Sequence, residues 1–291
     1  MVEVDGRQVE IRRLDKVFFP RDGITKGDLV DYYLRVAEHA LPHLRDRPIT
    51  MHRFPDGLEG EGFYQKEVPD HFPDWIDRVT VEKRENGRQE QVMCNQRATL
   101  AFLAGQACIT PHIWLSRGGR LNRPDKMVLD LDPPGDDFEK VREGALLLRD
   151  HLLELDLCPF VMTTGSRGLH LVIPLDGERG FESTRAVARG LVEELAARHP
   201  GELTTETRKD RRRGRLFLDY LRNAYGQTSV APYAVRAREG APVATPLDWE
   251  ELERDRVGPR SHHVGNLFRR LGQKGDPWAD FFERACSLEG L

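Results

Sequence analysis

The sequence lacks the features that would put it in several large classes. Only four of its 291 residues are cysteine (Cys94, Cys108, Cys158 and Cys286), and no two form a C-x-x-C pair. Neither a zinc ribbon nor a disulfide framework is indicated, which points to a reduced, cytoplasmic setting. No apolar run approaches the roughly 20 residues of a membrane span, so no membrane partner is expected. The opening residues, Met1-Val-Glu-Val-Asp-Gly-Arg7, contain no apolar stretch of the kind a secretory signal needs. Repeats, low-complexity tracts and long Pro/Gly/Ser linkers are missing as well. One unit spanning residues 1–291 is the expectation. The net charge of −4 argues against a surface coated in positive charge. It leaves room for a local basic groove, because anion binding depends on where charge sits.

Apolar residues make up 39% of the chain, enough for a sizeable core. Thr25 reads as the N-cap of a helix running to about Leu44, with Leu29, Tyr32 or Tyr33, Val36 and Ala40 as its apolar stripe. Residues 83–91 are polar, contain Asn-Gly and read as a hairpin loop. Residues 97–107 read as a short buried helix. In the centre, residues 127–132 read as a strand stopped by Pro133-Pro134. Asp136 or Asp137 then caps a helix to about Leu155, with Phe138, Val141, Ala145, Leu148 and Leu152 inward. Residues 159–163 and 169–174 are two further strands joined by a Gly-rich turn. Ser183 or Thr184 starts a helix ending at Pro200, and residues 216–219 form another strand. Strands alternating with helices imply an α/β or α+β architecture, here with two sheets.

Side chains alternate across a strand, so Asp130 and Asp132 share one face while Met127, Leu129 and Leu131 take the other. Two carboxylates this close repel unless something positive binds, and their oxygens suit Mg²⁺ or Mn²⁺. Asp219 is a third acid at a strand end; three carboxylates can hold two metals about 4 Å apart, the clamp used for in-line phosphoryl transfer. Thr163-Thr-Gly-Ser-Arg-Gly-Leu-His170 combines two glycines that let a backbone turn toward an anion with the hydroxyls of Thr164 and Ser166, the charge of Arg167 and the imidazole of His170. Arg236 and Arg238 share one face of a segment read as extended, and arginine forks match phosphate oxygens. Residues 207–222 add seven cations against two acids. Singly, each feature also fits a bland reading: a solvated strand end, an ordinary hairpin turn, a structural histidine, a basic strand edge, a solvated loop. Their order is what carries weight: D-L-D, then T-G-S-R-G-L-H, then L-F-L-D-Y, then S-V-A-P-Y-x-x-R-x-R.

In that order the motifs resemble those of the polymerase domain of bacterial DNA ligase D and its stand-alone relatives, within the archaeo-eukaryotic primase superfamily. The likeness covers nearly the whole chain, from Leu14-Asp-Lys-Val-Phe-Phe-Pro20 and Thr25-Lys-Gly-Asp-Leu29, through Cys94-Asn95, Ala98-Thr-Leu100 and Pro111-His-Ile-Trp114, to Gly240-Ala-Pro-Val-Ala-Thr-Pro-Leu247. It implies an α+β core of mixed sheets flanked by helices. It also implies a DNA-directed nucleotidyltransferase that takes nucleoside triphosphates, ribo- or deoxyribo-, and often prefers the former with Mn²⁺. Such enzymes copy short stretches at gaps and double-strand ends, either in non-homologous end joining or in excision repair and priming. By resemblance, Asp130, Asp132 and Asp219 are catalytic metal ligands. Ser166, Arg167 and His170, with Thr164, form a nucleotide-phosphate motif; Arg236 binds triphosphate, with Arg238 beside it. His112 lies near the incoming sugar, and Phe63 and Tyr64, with Arg53 close by, stack near the templating base. Lys16 and Lys26 grip a 5′-phosphate across the gap. Arg13 departs from the family pattern, which has Asn or His there, and either strengthens or obstructs that grip. The nucleotidyl-ligase signature K-x-D-G is absent, Arg53-Phe-Pro-Asp-Gly57 coming nearest. The chain is therefore expected not to seal nicks, and to be either an excised domain or a stand-alone polymerase that acts at the nucleoid with a separate ligase and an end-binding protein. A non-catalytic scaffold that holds DNA ends is the alternative of another class, and retention of all three acids counts against it.

Overall fold

A computed structural model describes residues 1–83, 87–254 and 257–291. Thr25 starts the first long helix, Lys26–Leu44, with a reciprocal capping box: its hydroxyl accepts from the Asp28 N–H, and the Asp28 carboxylate accepts from the Thr25 N–H. Two orphan donors of the first turn are thereby satisfied. Leu29, Val36 and Ala40 are buried, and so are both Tyr32 and Tyr33. Each phenol can sit inside because it finds an acceptor: Tyr32 donates to the Tyr233 carbonyl (2.8 Å) and Tyr33 to the Ile109 carbonyl (2.6 Å).

This helix and the shorter Arg97–Gly105 helix share a core with the first sheet. Its strands run in the order Thr228–Val230, Cys108–Trp114, Pro48–Arg53, Arg88–Met93 and Arg78–Glu82, with Phe63–Gln65 paired to the C-terminal half of Pro48–Arg53. All of these pairs are antiparallel. The register sets Thr50 opposite His112, and His112 opposite Val230.

The second sheet runs Leu203–Thr204, Leu216–Asp219, Lys126–Asp132, Leu169–Pro174, Phe160–Thr163 and Pro246–Leu247, antiparallel except for the first pair. Met127, Leu129 and Leu131 pack with Leu169, Leu171 and Ile173 against the helices Phe138–Leu153 and Phe181–Arg198. Val128, Met162 and Val172 point the other way and join the first sheet's core. Leu216–Asp219 is too short to cover the start of the Lys126–Asp132 strand, and Asn223 completes the ladder there. Its amide accepts from the Val128 N–H (2.8 Å) and donates to the Val128 carbonyl (2.7 Å).

Three local expectations change. The Phe181–Arg198 helix begins before Ser183 or Thr184, with Gly180 as its N-cap and no side-chain cap. Burying Phe181 draws the chain into the helix early, and a glycine N-cap tolerates it. Within the expected loop 83–91, residues 88–91 already belong to the Arg88–Met93 strand, where Gln91 is buried; residues 84–86 lie outside the described residues. The segment carrying Arg236 and Arg238 is a tight turn, not an extended strand. Arg236 N–H donates to the Pro242 carbonyl (2.7 Å), Arg238 N–H to the Arg236 carbonyl (2.8 Å), and Ala241 N–H to the Arg238 carbonyl (3.1 Å).

Candidate active site

The antiparallel register of the second sheet gathers residues that lie far apart in the chain. Asp130 faces His170 on one neighbouring strand and Asp219 on the other, so one line across three strands reads Asp219, Asp130, His170. Asp132 follows two residues along, on the same face. His170 Nε2 lies 3.5 Å from one Asp130 oxygen and Arg222 Nε 3.9 Å from the other. Burial alone would push the Asp130 carboxyl up, but His170, Arg222 and Arg236 outweigh it and hold it below the usual carboxylate range. Asp132 shifts upward, first from burial and then from the charges of Asp130 and Asp219. Asp219 also shifts upward from burial, with Asp130 adding to it, although its carboxylate accepts from the Leu221 N–H at 2.7 Å. Among the described residues, no three His, Cys, Asp or Glu side chains converge closely enough to hold a metal ion by themselves.

The turn after the Phe160–Thr163 strand forms the next wall. The Thr164 hydroxyl donates to the Gly168 carbonyl (3.1 Å) and accepts from the N–H groups of Ser166 and Gly168 (3.3 Å each), so it shapes the turn from within. Gly165 sits at φ +62°, and a Cβ there would lie 2.7 Å from Arg236 Cγ. A Cβ on Gly168 would meet the Leu131 carbonyl oxygen at 2.0 Å. Both glycines are therefore required by close approach: one to Arg236, the other to the strand that carries the acids. Arg236 Nη1 donates to the Thr164 carbonyl (2.5 Å). Its guanidinium is largely buried, and burial, then Arg238, lowers its pKa.

The first sheet supplies the facing wall. Thr50, Tyr64, His112 and Ser229 line the same cavity of about 550 Å³ as Asp130, Asp132, Thr164, Ser166, Arg167, His170, Arg236 and Arg238. His112 Nε2 and Thr50 Oγ1 are buried without a hydrogen-bond partner. Burial, then Arg236 and His52, hold the His112 ring neutral by depressing its pKa well below the usual value. Tyr64 is 60% exposed and stacks on His52, ring centroids 4.1 Å apart at 8°. Phe63 is also exposed, 5.7 Å beneath the Arg53 guanidinium. The pair is thus no core pair. Arg53 itself is turned away from the cavity, donating to the Gln106 carbonyl (2.8 Å) and to Gln65 (2.6 Å).

Arg13, Lys16, Lys26 and Arg53 form a separate basic cluster. The Lys26 ammonium is depressed by burial and then by the charges of Arg13, Lys16 and Arg53. It donates to the Arg12 carbonyl (3.0 Å), while Lys16 donates to the Pro55 carbonyl and Asp56 (both 2.7 Å). Arg13 projects from a backbone at φ +54°, a conformation that Asn adopts more readily.

The sequence reading missed Thr50, Ser229 and Lys66 as cavity-lining residues, and it counted Arg222 only within a basic run. Arg222 had a signal, three residues beyond Asp219 just past a strand end. Thr50 had none, because its place is set by its cross-strand partner His112.

Residues 25–278 match the LigD primase-polymerase domain family. The chain is 32% identical over 274 residues to the multifunctional non-homologous end joining protein LigD of Mycolicibacterium smegmatis, covering 92% of this chain and 35% of that protein. It is 32% identical over 277 residues to the bifunctional non-homologous end joining protein LigD of Bacillus subtilis, covering 94% and 44%. It thus spans less than half the length of these curated relatives. The solved polymerase domain of Mycobacterium tuberculosis ligase D, in complex with DNA, superimposes with a TM-score of 0.89 at 30% identity, covering 96% of this chain and 99% of that one. With its fold, its family match and its nearly end-to-end likeness to that domain in agreement, the chain belongs to the LigD primase-polymerase domain family.

Proposed function

We propose that this chain is a template-directed, metal-dependent polymerase that fills short gaps and extends 3′ ends of DNA during non-homologous end joining, with a preference for ribonucleotides. The observation that carries the reading is that Asp130, Asp132 and His170 face a glycine-built turn, Arg236 and Arg238 across one cavity, with Asp219 paired beside Asp130 on the next strand. DNA as partner is supported by the DNA complex of the ligase D polymerase domain, and the pathway by the names of the relatives.

The donor set fits divalent metal. Acids on one strand face, two of them raised by burial and mutual repulsion, are relieved by a cation. Mg²⁺ or Mn²⁺ would take one or two carboxylates and fill the remaining positions with water and substrate phosphate. Asp130, Asp132 and Asp219 would hold two such ions, which supply charge neutralisation and a more acidic attacking hydroxyl. The protein's own residues do the rest. His170 fixes the Asp130 carboxylate. Ser166, Arg167 and Arg236 bind the triphosphate, and Arg238 and the Thr164-shaped turn support them. His112, neutral and with a free Nε2, hydrogen-bonds a sugar hydroxyl, which favours a 2′-hydroxyl. Tyr64 and Phe63 offer faces for stacking on a templating base of any identity. The Arg13–Lys16–Lys26–Arg53 cluster receives the 5′-phosphate of the downstream strand. Sealing falls to a ligase, and end recognition to an end-binding partner.

Asp132→Ala is expected to abolish extension of a gapped primer–template while leaving the circular dichroism spectrum and melting temperature nearly unchanged. Full activity in that variant ends the proposal. Extension by the wild type that is indifferent to a downstream 5′-phosphate keeps the polymerase and removes the 5′-phosphate role of Lys16 and Lys26.

A further inference from the structure

A second cavity, of about 490 Å³, opens beside the nucleotide cavity. Ser166 and Arg167 line both, so the phosphate turn is the partition between them. The far wall is the 258–261 loop, which contributes Arg260 and Ser261, and Asp136 also lines the cavity. Arg260 Nε donates to the Ser166 carbonyl (2.8 Å), fastening its loop to the partition. The segment that follows is pinned to the turn carrying Arg236 and Arg238: Val243 N–H donates to the His262 carbonyl (2.9 Å) and Val264 N–H to the Ala241 carbonyl (3.2 Å). His262 and His263 are half-buried in this junction.

Three arginines surround the phosphate turn: Arg167 lines both cavities, Arg238 the first and Arg260 the second. Burial and then the charges of Arg260 and Arg167 lower the pKa of the Arg238 guanidinium. Among the described residues, no carboxylate pairs with any of them, whereas Arg117, Arg120, Arg123 and Arg270 each pair with an acid. Like charges held together without counter-ions repel, and an anion relieves them. Guanidinium forks match the tetrahedral oxygens of a phosphate. We propose that Arg260, together with Arg167, binds the terminal phosphate of the incoming nucleoside triphosphate, with the second cavity holding that end of the substrate. Nothing in the sequence motifs points to Arg260; it reaches the site only through the fold. The inference rests on the polymerase reading above.

Calorimetric titration of the whole chain with ATP, ADP and AMP, in Mg²⁺, tests it on wild type, Arg260→Ala and Arg260→Lys. The expected result is that Arg260→Ala weakens ATP at least tenfold, to near the ADP value, and leaves ADP and AMP unchanged, while Arg260→Lys recovers part of the loss. Equal weakening of all three nucleotides would show that Arg260 only positions the Ser166 loop and overturns the inference. An unchanged ATP affinity overturns it too. Gap-filling by the wild type, with Asp132→Ala as the inactive control, is read in parallel. If the wild type extends primers, a negative titration sinks only the role of Arg260. If it neither extends primers nor binds ATP, the polymerase reading falls with it.

Discussion

The two ends of one strand, Lys126–Asp132, use arginine in opposite ways. At the start of the strand, a cavity of about 740 Å³ is lined by Arg117, Arg120, Arg123 and Asp125. Every one of these guanidiniums is paired: Arg117 with Asp125 at 2.8 Å, and Arg120 and Arg123 with Glu178 at 3.2 and 2.9 Å. Arg47, fully buried behind them, also donates to Asp125 at 2.7 Å. At the other end, roughly 20 Å away by strand rise, Arg167, Arg236 and Arg238 have no carboxylate partner among the described residues, and the one further arginine of that cavity, Arg222, stands 3.9 Å from Asp130. The bigger cavity is the one whose charges are already spent on the fold. The smaller one leaves three of its four arginines, Arg167, Arg236 and Arg238, for something that is not protein. Pairing, rather than size or arginine content, separates the structural end from the functional end.

Replacing Asp125 gives the sharpest contrast with replacing Asp132. Asp125→Asn leaves Arg47 buried without its counter-charge, a defect worth about 3–5 kcal/mol of stability. Urea denaturation should show that loss, while the fraction that remains folded extends primers at the normal rate. Asp132→Ala should do the reverse. An Asp125→Asn protein of full stability and no activity would erase the distinction between the two ends.

Acid should weaken the structural end through His43. Its ring packs edge-on against the stacked pair Trp278 and Phe281, 5.5 and 5.6 Å away, and is almost fully buried. Burial first, then Lys126, push its pKa down to about 3. In the unfolded chain the ring gains a proton as pH falls through about 6.5. The folded site refuses that proton, so unfolding takes one up and stability falls as pH drops from about 6.5 toward 3, at about 1.4 kcal/mol per pH unit from this group. Urea midpoints at pH 7.5, 6.5 and 5.5 should fall less steeply for His43→Leu than for the wild type. Equal slopes would remove His43 as the source.

The strand, its acids and the phosphate turn were legible in the sequence because they are local. Alternation puts Asp130 and Asp132 on one face, two prolines stop the strand, and glycines mark the turn. The capping box of Thr25 and Asp28 was half legible, with the capping residue read and the reciprocal acid not. What could not be read is whatever register or long-range packing decides. Thr50 enters the cavity because it pairs with His112, 62 positions along the chain by their numbering. Arg260 reaches Ser166 across 94 positions. The turn at 236–241 was misread as a strand because its hydrogen bonds close on Pro242 and on the turn itself, and nothing in the alternation of residues there reveals that.

The smallest expected effect tests the exposed edge of the functional end. Tyr64 is 60% exposed and rests on His52, so it contributes little to the core. Its truncation should change stability by no more than about 0.5 kcal/mol. If it offers a stacking face to the templating base, Tyr64→Ala forfeits on the order of 1–3 kcal/mol of that contact. Extension across a one-nucleotide gap should then slow by roughly tenfold, by a similar factor for each of the four templating bases, since every base presents a π-face. A loss confined to one base would mean that the ring reads an edge instead of a face. No loss at all would place the templating strand away from Tyr64 and leave this wall of the cavity to the sugar and His112.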